Sequence, residues 1–379
     1  MSRRISRDSD PEASQTPTLE ANLRERIRRE GSLTFREWMH AALYDERDGY
    51  YRRRDAVRWG RAGDYRTSPE RSALFAATFA RHFANLFEEL GRPPALHLLE
   101  AGGGAGRFAH GVLQTLQRDA PHIFQSLRYI FDESSEDSRA RAAALLAPFA
   151  GRVEFQSIAD LTEPLDAVII FSNELLDAFP IHRVVMRGGK LRELCVGVGE
   201  GENFVWVEQK PSTPRIAEHF MRLSVTLAEG QFAEVNLGAE EWMQSAARVV
   251  GRGFVFSVDY GDEAEQLFGA PHRREGTLRA FRGHELADDV LREPGGQDLT
   301  TTVNWTHVRS VGESAGLETV ALEQLDAFLL RAGLLEQLER ETAHAADDTE
   351  VARLRLGARE MILPGGMASH FQVLVQKKS

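Results

Sequence analysis

Apolar residues recur at helical spacing in three early segments. Thr18 to Arg29 and Thr34 to Leu43 each gather them on one face, and Thr34 and Glu37 have the spacing of a capping box. Ser72 to Leu90 carries Leu74, Phe75, Phe79, Phe83, Leu86 and Phe87 on a broad stripe, the pattern of a helix that buries one side. Tyr44 to Glu70, rich in Gly, Tyr and Arg, reads as a loop between helices. The residues before about position 17 are polar and carry Pro11 and Pro17, which predicts a disordered tail.

From Leu96 onward, short apolar runs alternate with helical stretches. Leu96 to Glu100, Arg128 to Asp132, Val153 to Gln156 and Ala167 to Ser172 read as strands, with helices at about Arg107 to Gln117 and Asp137 to Ala147. Such alternation predicts an α/β fold with a doubly wound, Rossmann-like parallel sheet. The rhythm breaks after Pro180. Val184 to Met186, Leu191 to Val198 and Phe204 to Glu208 are joined by glycine turns, which predicts an inserted antiparallel sheet. Phe254 to Asp259 restores the core. Gly261 to Thr302 is a polar stretch too long for a simple connection, and loops of that length are often functional. Two helical stretches and a last strand, Phe371 to Gln376, close the chain. The expected division is a tail over 1–17, an N-terminal helical lid over 18–90 and the first part of the core over 91–181. An insertion of sheet and helices follows over 182–250. The rest of the core spans 251–379, with a substrate-side loop at 261–302.

The 379 residues, 42% hydrophobic and 27% charged, are those of an ordinary globular protein. A net charge of -11 argues against a duplex nucleic-acid partner, whose phosphates call for a basic surface. Cys195 is the only cysteine, so an internal disulfide and a Cys-based zinc cluster are excluded, and a small core residue is expected there. No apolar run approaches the roughly 20 residues that span a bilayer, so no membrane partner is expected. The basic start, Met1 to Arg7, is followed by Asp8, Asp10 and Glu12 without an apolar stretch, which reads as no secretory signal. Together with a strong preference for arginine over lysine, this predicts a bacterial cytoplasmic location. No metal-ligand spacing of the H-E-x-x-H type occurs, and no metal is expected.

The first strand runs into Glu100, Gly102, Gly104 and Gly106. Glycines let the backbone approach a ligand closely, and the following helix presents free N–H groups to an anion. An acid at the strand end can receive an ammonium group or fix the loop. That combination suits the amino-acid end of S-adenosylmethionine better than a pyrophosphate. The loop alone leaves a dinucleotide enzyme open, because G-x-G-x-x-G fails from Gly102 and meets Ala109 from Gly104. Asp132 ends the second strand, where a carboxylate can bond ribose hydroxyls, or else cap the next helix. Gln156 and Ser157 follow the third strand, where they can meet an adenine edge. Asn173, Glu174 and Asp177 follow the fourth, facing the crevice where a doubly wound sheet binds its ligands. Two carboxylates beside a methyl donor suit a cationic guanidinium, with Glu174 first and Asp177 second. His284 and Asp298, in the long polar loop, are candidates to take the proton that nitrogen methylation releases.

Several unusual segments, in order, resemble the MidA-like methyltransferases, the group that includes a mitochondrial complex I assembly methyltransferase. They are Thr34 to Met39, Ala42 to Tyr44, Asp48 to Tyr51, Gly63 to Glu70, the glycine loop, Asn173 to Pro180, Val258 to Gly261, Gly276 to His284 and Asp298 to Thr300. The resemblance, from about residue 20 to the C-terminus, implies a class I methyltransferase core binding S-adenosyl-L-methionine. It implies that Glu100, Gly102, Gly104, Gly106 and Asp132 hold this cofactor. Gly63 to Glu70, with Gly63, Thr67 and Pro69, would fold over it as a lid. The Asn-Glu-Leu-Leu segment is similar to the acidic loop of arginine methyltransferases that make symmetric dimethylarginine. The implied acceptor is a protein with an exposed arginine. A small-molecule acceptor and a non-catalytic assembly factor are the alternatives. The chain departs from the family at Asp132, where Glu is usual, at Gln156, near which an Asp is usual, and at Ala368, where Gly is favoured.

Overall fold

The computed structural model describes residues 17–53, 73–283, 285–363 and 366–379. Its centre is a sheet of seven strands: β1 (Leu96–Ala101), β2 (Leu127–Asp132), β3 (Val153–Phe155), β4 (Val168–Asn173), β5 (Gly253–Asp259), β6 (Glu318–Gln324) and β7 (Gln372–Lys378). The order across it is β6-β7-β5-β4-β1-β2-β3. Strands β5 to β3 run parallel, and β7 is antiparallel to both of its neighbours. The winding reverses between β1 and β4, so the carboxyl ends of β1 to β4 open on one crevice.

Both faces of this sheet are buried, which is why its strands read as continuous apolar runs. Ile169 and Phe171 of β4 face one side; Val168 and Ile170 face the other. On the first side lie helices Ala73–Glu89 and Arg107–Asp119, where the Phe108 and Phe171 rings stack at 4.1 Å and Phe79 meets Phe171 at 4.9 Å. Each such pair adds about 1 kcal/mol beyond the area it buries. The helix Ala73–Glu89, grouped with the lid by its place in the chain, is thus packed into the core. Helices Leu237–Val249 and Trp305–Ser314 cover the second side.

In the antiparallel sheet expected after Pro180, Lys190–Val198 pairs with His182–Arg187 and Phe204–Gln209, and a further strand not read from the sequence, Phe232–Val235, pairs with His182–Arg187. Leu33 and Thr34 also join it, opposite Val196 and Cys195. The capping box then starts the helix Phe35–Tyr44: Glu37 N donates to Thr34 Oγ1 at 3.2 Å, and Thr34 N to Glu37 Oε2 at 3.0 Å. Such a cap contributes about 1 kcal/mol. Cys195 is buried, and burial pushes its thiol up to about 12, as suits a core residue.

Two features depart from the sequence reading. Strand β6 was not anticipated, because Glu318, Glu323 and Gln324 at the sheet edge keep it half polar. The stretch 261–302 holds a three-stranded sheet of Arg279–Arg282, Glu285–Leu286 and Asp298–Thr300, pieces too short to carry a pattern. Among the described residues, no helix is long and apolar enough to cross a membrane.

A buried polar cluster joins the insertion's helix Arg215–Arg222 to the core. The rings of His219 and His307 meet at 4.3 Å, and His307 Nε2 lies 3.4 Å from Glu240 Oε2. Arg215 and Arg222 flank the other oxygen of Glu240 at 3.5 and 3.4 Å. Burial lowers His219 well below its ordinary range and His307 to about 4. The folded chain therefore keeps both rings neutral where the unfolded chain protonates them. Their contribution to stability is complete above a pH of about 6.5 and declines as the pH falls below it, through about 4 for His307. Melting curves of His219→Phe and the parent chain should show the variant losing less Tm between these pH values. Only the slope matters, so a constant offset from the larger ring does not affect the outcome.

Candidate active site

The glycine loop turns at the crevice between β1 and β2. Gly102 N and Gly103 N donate to Asp132 O at 2.8 and 3.4 Å, which ties the loop to the end of β2. Gly102, Gly104 and Gly106 all have positive φ, at 70°, 55° and 80°. A Cβ on Gly103 would lie 2.4 Å from the Phe131 ring, so this turn admits no side chain. The backbone beyond it feeds directly into the helix Arg107–Asp119, whose N-terminus faces the loop.

Glu100 lies under the loop. It is 4% exposed, Tyr129 Oη donates to its Oε2 at 2.7 Å, and its carboxyl carbon is 3.1 Å from the space a Gly103 Cβ would fill. Burial pushes its carboxyl up to about 8. The carboxyl thus packs beneath the loop and is engaged by Tyr129, while the loop's own N–H groups bond Asp132 O and Glu133.

Asp132, Gln156 and Ser157 come together at the ends of β2 and β3. Asp132 Oδ2 accepts from Ile158 N at 2.9 Å, Gln156 N donates to Phe131 O at 3.2 Å, and Ser157 Oγ accepts from Ala159 N at 3.3 Å. Desolvation raises the Asp132 carboxyl above its usual range. Glu133, not singled out from the sequence, reaches back to the loop. Its Oε2 accepts from Gly104 N at 2.8 Å and its Oε1 from Ser135 N at 2.7 Å. An acid directly after the strand-end acid was the only available signal.

The end of β4 carries the second group of acids. Glu174 adopts a positive φ of 51°, strained for a residue with a side chain, and its N donates to Val258 O at 2.9 Å. Asn173 Nδ2 donates to Glu174 Oε1 at 3.0 Å, and Tyr260 Oη donates to Oε2 at 3.4 Å. Asp259, fully buried, accepts from Leu176 N at 2.9 Å, Asp177 N at 3.2 Å and Tyr260 N at 2.8 Å. Asp177 is 4% exposed, and its Oδ1 has no hydrogen-bond partner; nor does Asn173 Oδ1. Asp298 joins them, accepting from Tyr51 Oη at 2.8 Å, while Tyr44 Oη donates to Ala178 O at 3.1 Å. The helix Phe35–Tyr44 and the turn after it are thereby seated on the acidic loop. Sequence reasoning had not assigned roles to Asp259 and Tyr260, although Val258 to Gly261 is among the matching segments.

Four acids crowd this space, and the charges oppose one another. Burial and then Asp259 push Glu174 up to about 8; burial pushes Asp259 up to about 7. Asp177 is raised well above its usual range by burial, then by Asp259, Glu174 and Asp298. A site of this kind holds protons at neutral pH or takes a cation in their place. Among the described residues no group of three or more His, Cys, Asp or Glu side chains is arranged to hold a metal ion. Leu175 Cδ1 lies 2.9 Å from the space a Gly102 Cβ would fill, so the acidic loop and the glycine loop are direct neighbours. Gly63, Thr67, Pro69 and His284 lie outside the described residues.

A parallel sheet in this order, with an antiparallel seventh strand and a glycine loop after β1, defines a class I methyltransferase. Residues 78–322 match the family described as "Putative S-adenosyl-L-methionine-dependent methyltransferase", and the chain belongs to it. A Burkholderia thailandensis protein of the COG1565 superfamily, crystallised with S-adenosyl-homocysteine, superposes with a TM-score of 0.83. It is 25% identical, with 95% of this chain and 92% of that one covered. A native structure of a protein of that superfamily from the same organism gives 0.81 at 27% identity, covering 95% and 91%. The protein arginine methyltransferase NDUFAF7 homolog of Drosophila melanogaster is 26% identical over 94% of this chain and 84% of its own length. The Mus musculus protein arginine methyltransferase NDUFAF7 is 24% identical over 95% and 84%. The chain is therefore an S-adenosyl-L-methionine-dependent methyltransferase, and the turn that excludes a Cβ at Gly103 fits the close approach of such a cofactor.

Gly103→Ala should lower the affinity for S-adenosyl-homocysteine about tenfold or more by calorimetry, because Phe131 must move to admit the methyl group. Glu100 retains its proton in the folded chain up to about pH 8, against 4.5 as its ordinary value. Its favourable contribution is complete below about pH 4.5 and is lost as the pH rises toward 8. Glu100→Gln, which still accepts from Tyr129, should gain stability over the parent chain across that window in denaturant titrations.

Proposed function

We propose that the chain methylates an arginine side chain of a protein, which Glu174 and Asp177 receive. The observation that carries this reading is the buried Asp177 Oδ1 without a partner, beside a strained Glu174 at the mouth of β4. A guanidinium is planar, always charged in water, and bonds carboxylates through two parallel N–H groups. It would supply the donor that Asp177 Oδ1 lacks and the charge that the crowding of these acids calls for. The names of the curated relatives, protein arginine methyltransferases at 24–26% identity, support the same acceptor.

Bound S-adenosyl-L-methionine supplies a methyl group on a positively charged sulfur. Gly102 to Gly106 would hold its amino-acid end, Asp132 its ribose, and Gln156 and Ser157 its adenine. The acidic loop touches the glycine loop through Leu175, so an acceptor held by Glu174 is near the donor, and proximity supplies most of the rate. Methylation of a guanidinium nitrogen forms one N–C bond as the methyl C–S bond breaks and S-adenosyl-homocysteine leaves, and the product then has one N–H proton to lose. Asp177, with a free oxygen and a raised affinity for protons, is the group we assign to take it, with Asp298 behind it. Glu174 keeps the orienting role.

Glu174→Gln should retain S-adenosyl-homocysteine binding and lose transfer to a peptide of Gly-Arg repeats about 100-fold or more. Unchanged transfer in that variant overturns the assignment of Glu174. Turnover of free guanidino compounds with none of the peptide would move the reading to a small-molecule acceptor.

A further inference from the structure

Tyr260, at the acidic loop, is a ring that is both rigidly mounted and open to solvent. It is 38% exposed, yet its backbone is held at both ends: N donates to Asp259 Oδ1 at 2.8 Å, and O accepts from Val303 N at 2.8 Å. The next residue, Gly261, is pressed against Trp305, whose indole would lie 1.7 Å from a Cβ there. The ring rests on Phe371 with centroids 4.0 Å apart and an angle of 35° between planes. An exposed tyrosine normally leaves its hydroxyl to water. This one directs its hydroxyl to Glu174 Oε2 at 3.4 Å.

We infer that Tyr260 is a positioning residue of the acceptor site: braced on Phe371, it fixes the direction in which the Glu174 carboxylate faces and holds that carboxylate ready for a cation. The inference rests on the reading of Glu174 given above. Asn173 Nδ2 holds Oε1 and Tyr260 Oη holds Oε2, so the two donors together set the plane of the carboxylate. Losing one leaves it free to rotate on its strained backbone. Among the described residues, Asp259, Asp177 and Asp298 are acids that act on Glu174 or on its neighbour Asp177, and Arg52 acts with Asp177 and Asp298 on the adjoining Tyr44. The Tyr260 hydroxyl therefore counters neighbours that favour the protonated form. Burial and these same four carboxylates raise the hydroxyl's own affinity for its proton, so it remains a donor throughout the working range.

Tyr260→Phe keeps the ring and its contact with Phe371 and removes only the donor. In protein labelled with carbon-13 glutamate, the Glu174 carboxyl signal is identified by its absence from Glu174→Gln. The expected result is a titration midpoint higher in Tyr260→Phe than in the parent chain. The acidic limb of kcat/KM for a peptide of Gly-Arg repeats should move up in pH with it. At neutral pH kcat/KM should fall about tenfold, with S-adenosyl-homocysteine affinity unchanged. An unmoved midpoint overturns the positioning role whatever the activity does. A raised midpoint with full transfer in Glu174→Gln instead overturns the reading of Glu174 as acceptor site and leaves the Tyr260 contact standing.

Discussion

The buried carboxylate of Asp259 at the end of β5 is the fixed point of the site. Three backbone N–H groups, from Leu176, Asp177 and Tyr260, converge on its two oxygens. Without them a buried acid would be costly; with them it ties the loop after β4 to the loop after β5. Everything placed at the mouth of the crevice follows from that tie: the turn of Glu174, the burial of Asp177 and the mounting of Tyr260. An absent acid at this position would leave those donors unpaired and release the loop with them.

Two loops meet across β1 and β4, and they are built on opposite principles. The glycine loop is shaped by exclusion, since Phe131 below Gly103 and Leu175 beside Gly102 leave no room for side chains. Its hydrogen bonds are internal, to Asp132 O and Glu133, and it offers backbone to a ligand. The acidic loop is shaped by side chains that repel one another and are held together by the surrounding fold. One supplies close approach; the other supplies an unmet demand for charge. Their contact through Leu175 brings the two loops side by side at one crevice.

The N-terminal segment reaches the acidic loop through an indirect route. Leu33 and Thr34 join the inserted sheet, the capping box starts the next helix, and that helix delivers Tyr44 and the following turn Tyr51 to Ala178 and Asp298. The insertion is thus a platform that positions a cover, and the buried His219–His307–Glu240 cluster fastens part of that platform to the core.

The parallel core, the inserted sheet, the capping box and the glycine loop were legible along the chain because each depends on local spacing: runs of apolar residues, hairpin turns, a Thr and a Glu three apart. Strand β6 was hidden because an edge strand need be only half apolar, and the small sheet within 261–302 because strands of two to four residues show no period. The acids Glu100, Asp132, Glu174, Asp177 and Asp298 could be named from their places at strand ends and in the long loop. Their roles could not be separated, since a carboxylate that fixes a loop and one that waits for a cation are the same residue type. Burial and hydrogen bonding distinguish them: Glu100 is engaged by Tyr129, Asp259 by three N–H groups, and Asp177 keeps an oxygen without a partner. The sequence alone therefore determined the fold, which rests on patterns between near neighbours, and the cofactor class, which rests on the ordered family segments around a glycine loop that by itself left a dinucleotide open. Only the tertiary structure decided which acids are engaged and which keep an oxygen without a partner, because that depends on residues distant in the chain, 29 positions away for Glu100 and Tyr129, 83 for Asp259 and Leu176, and 86 for Glu174 and Tyr260.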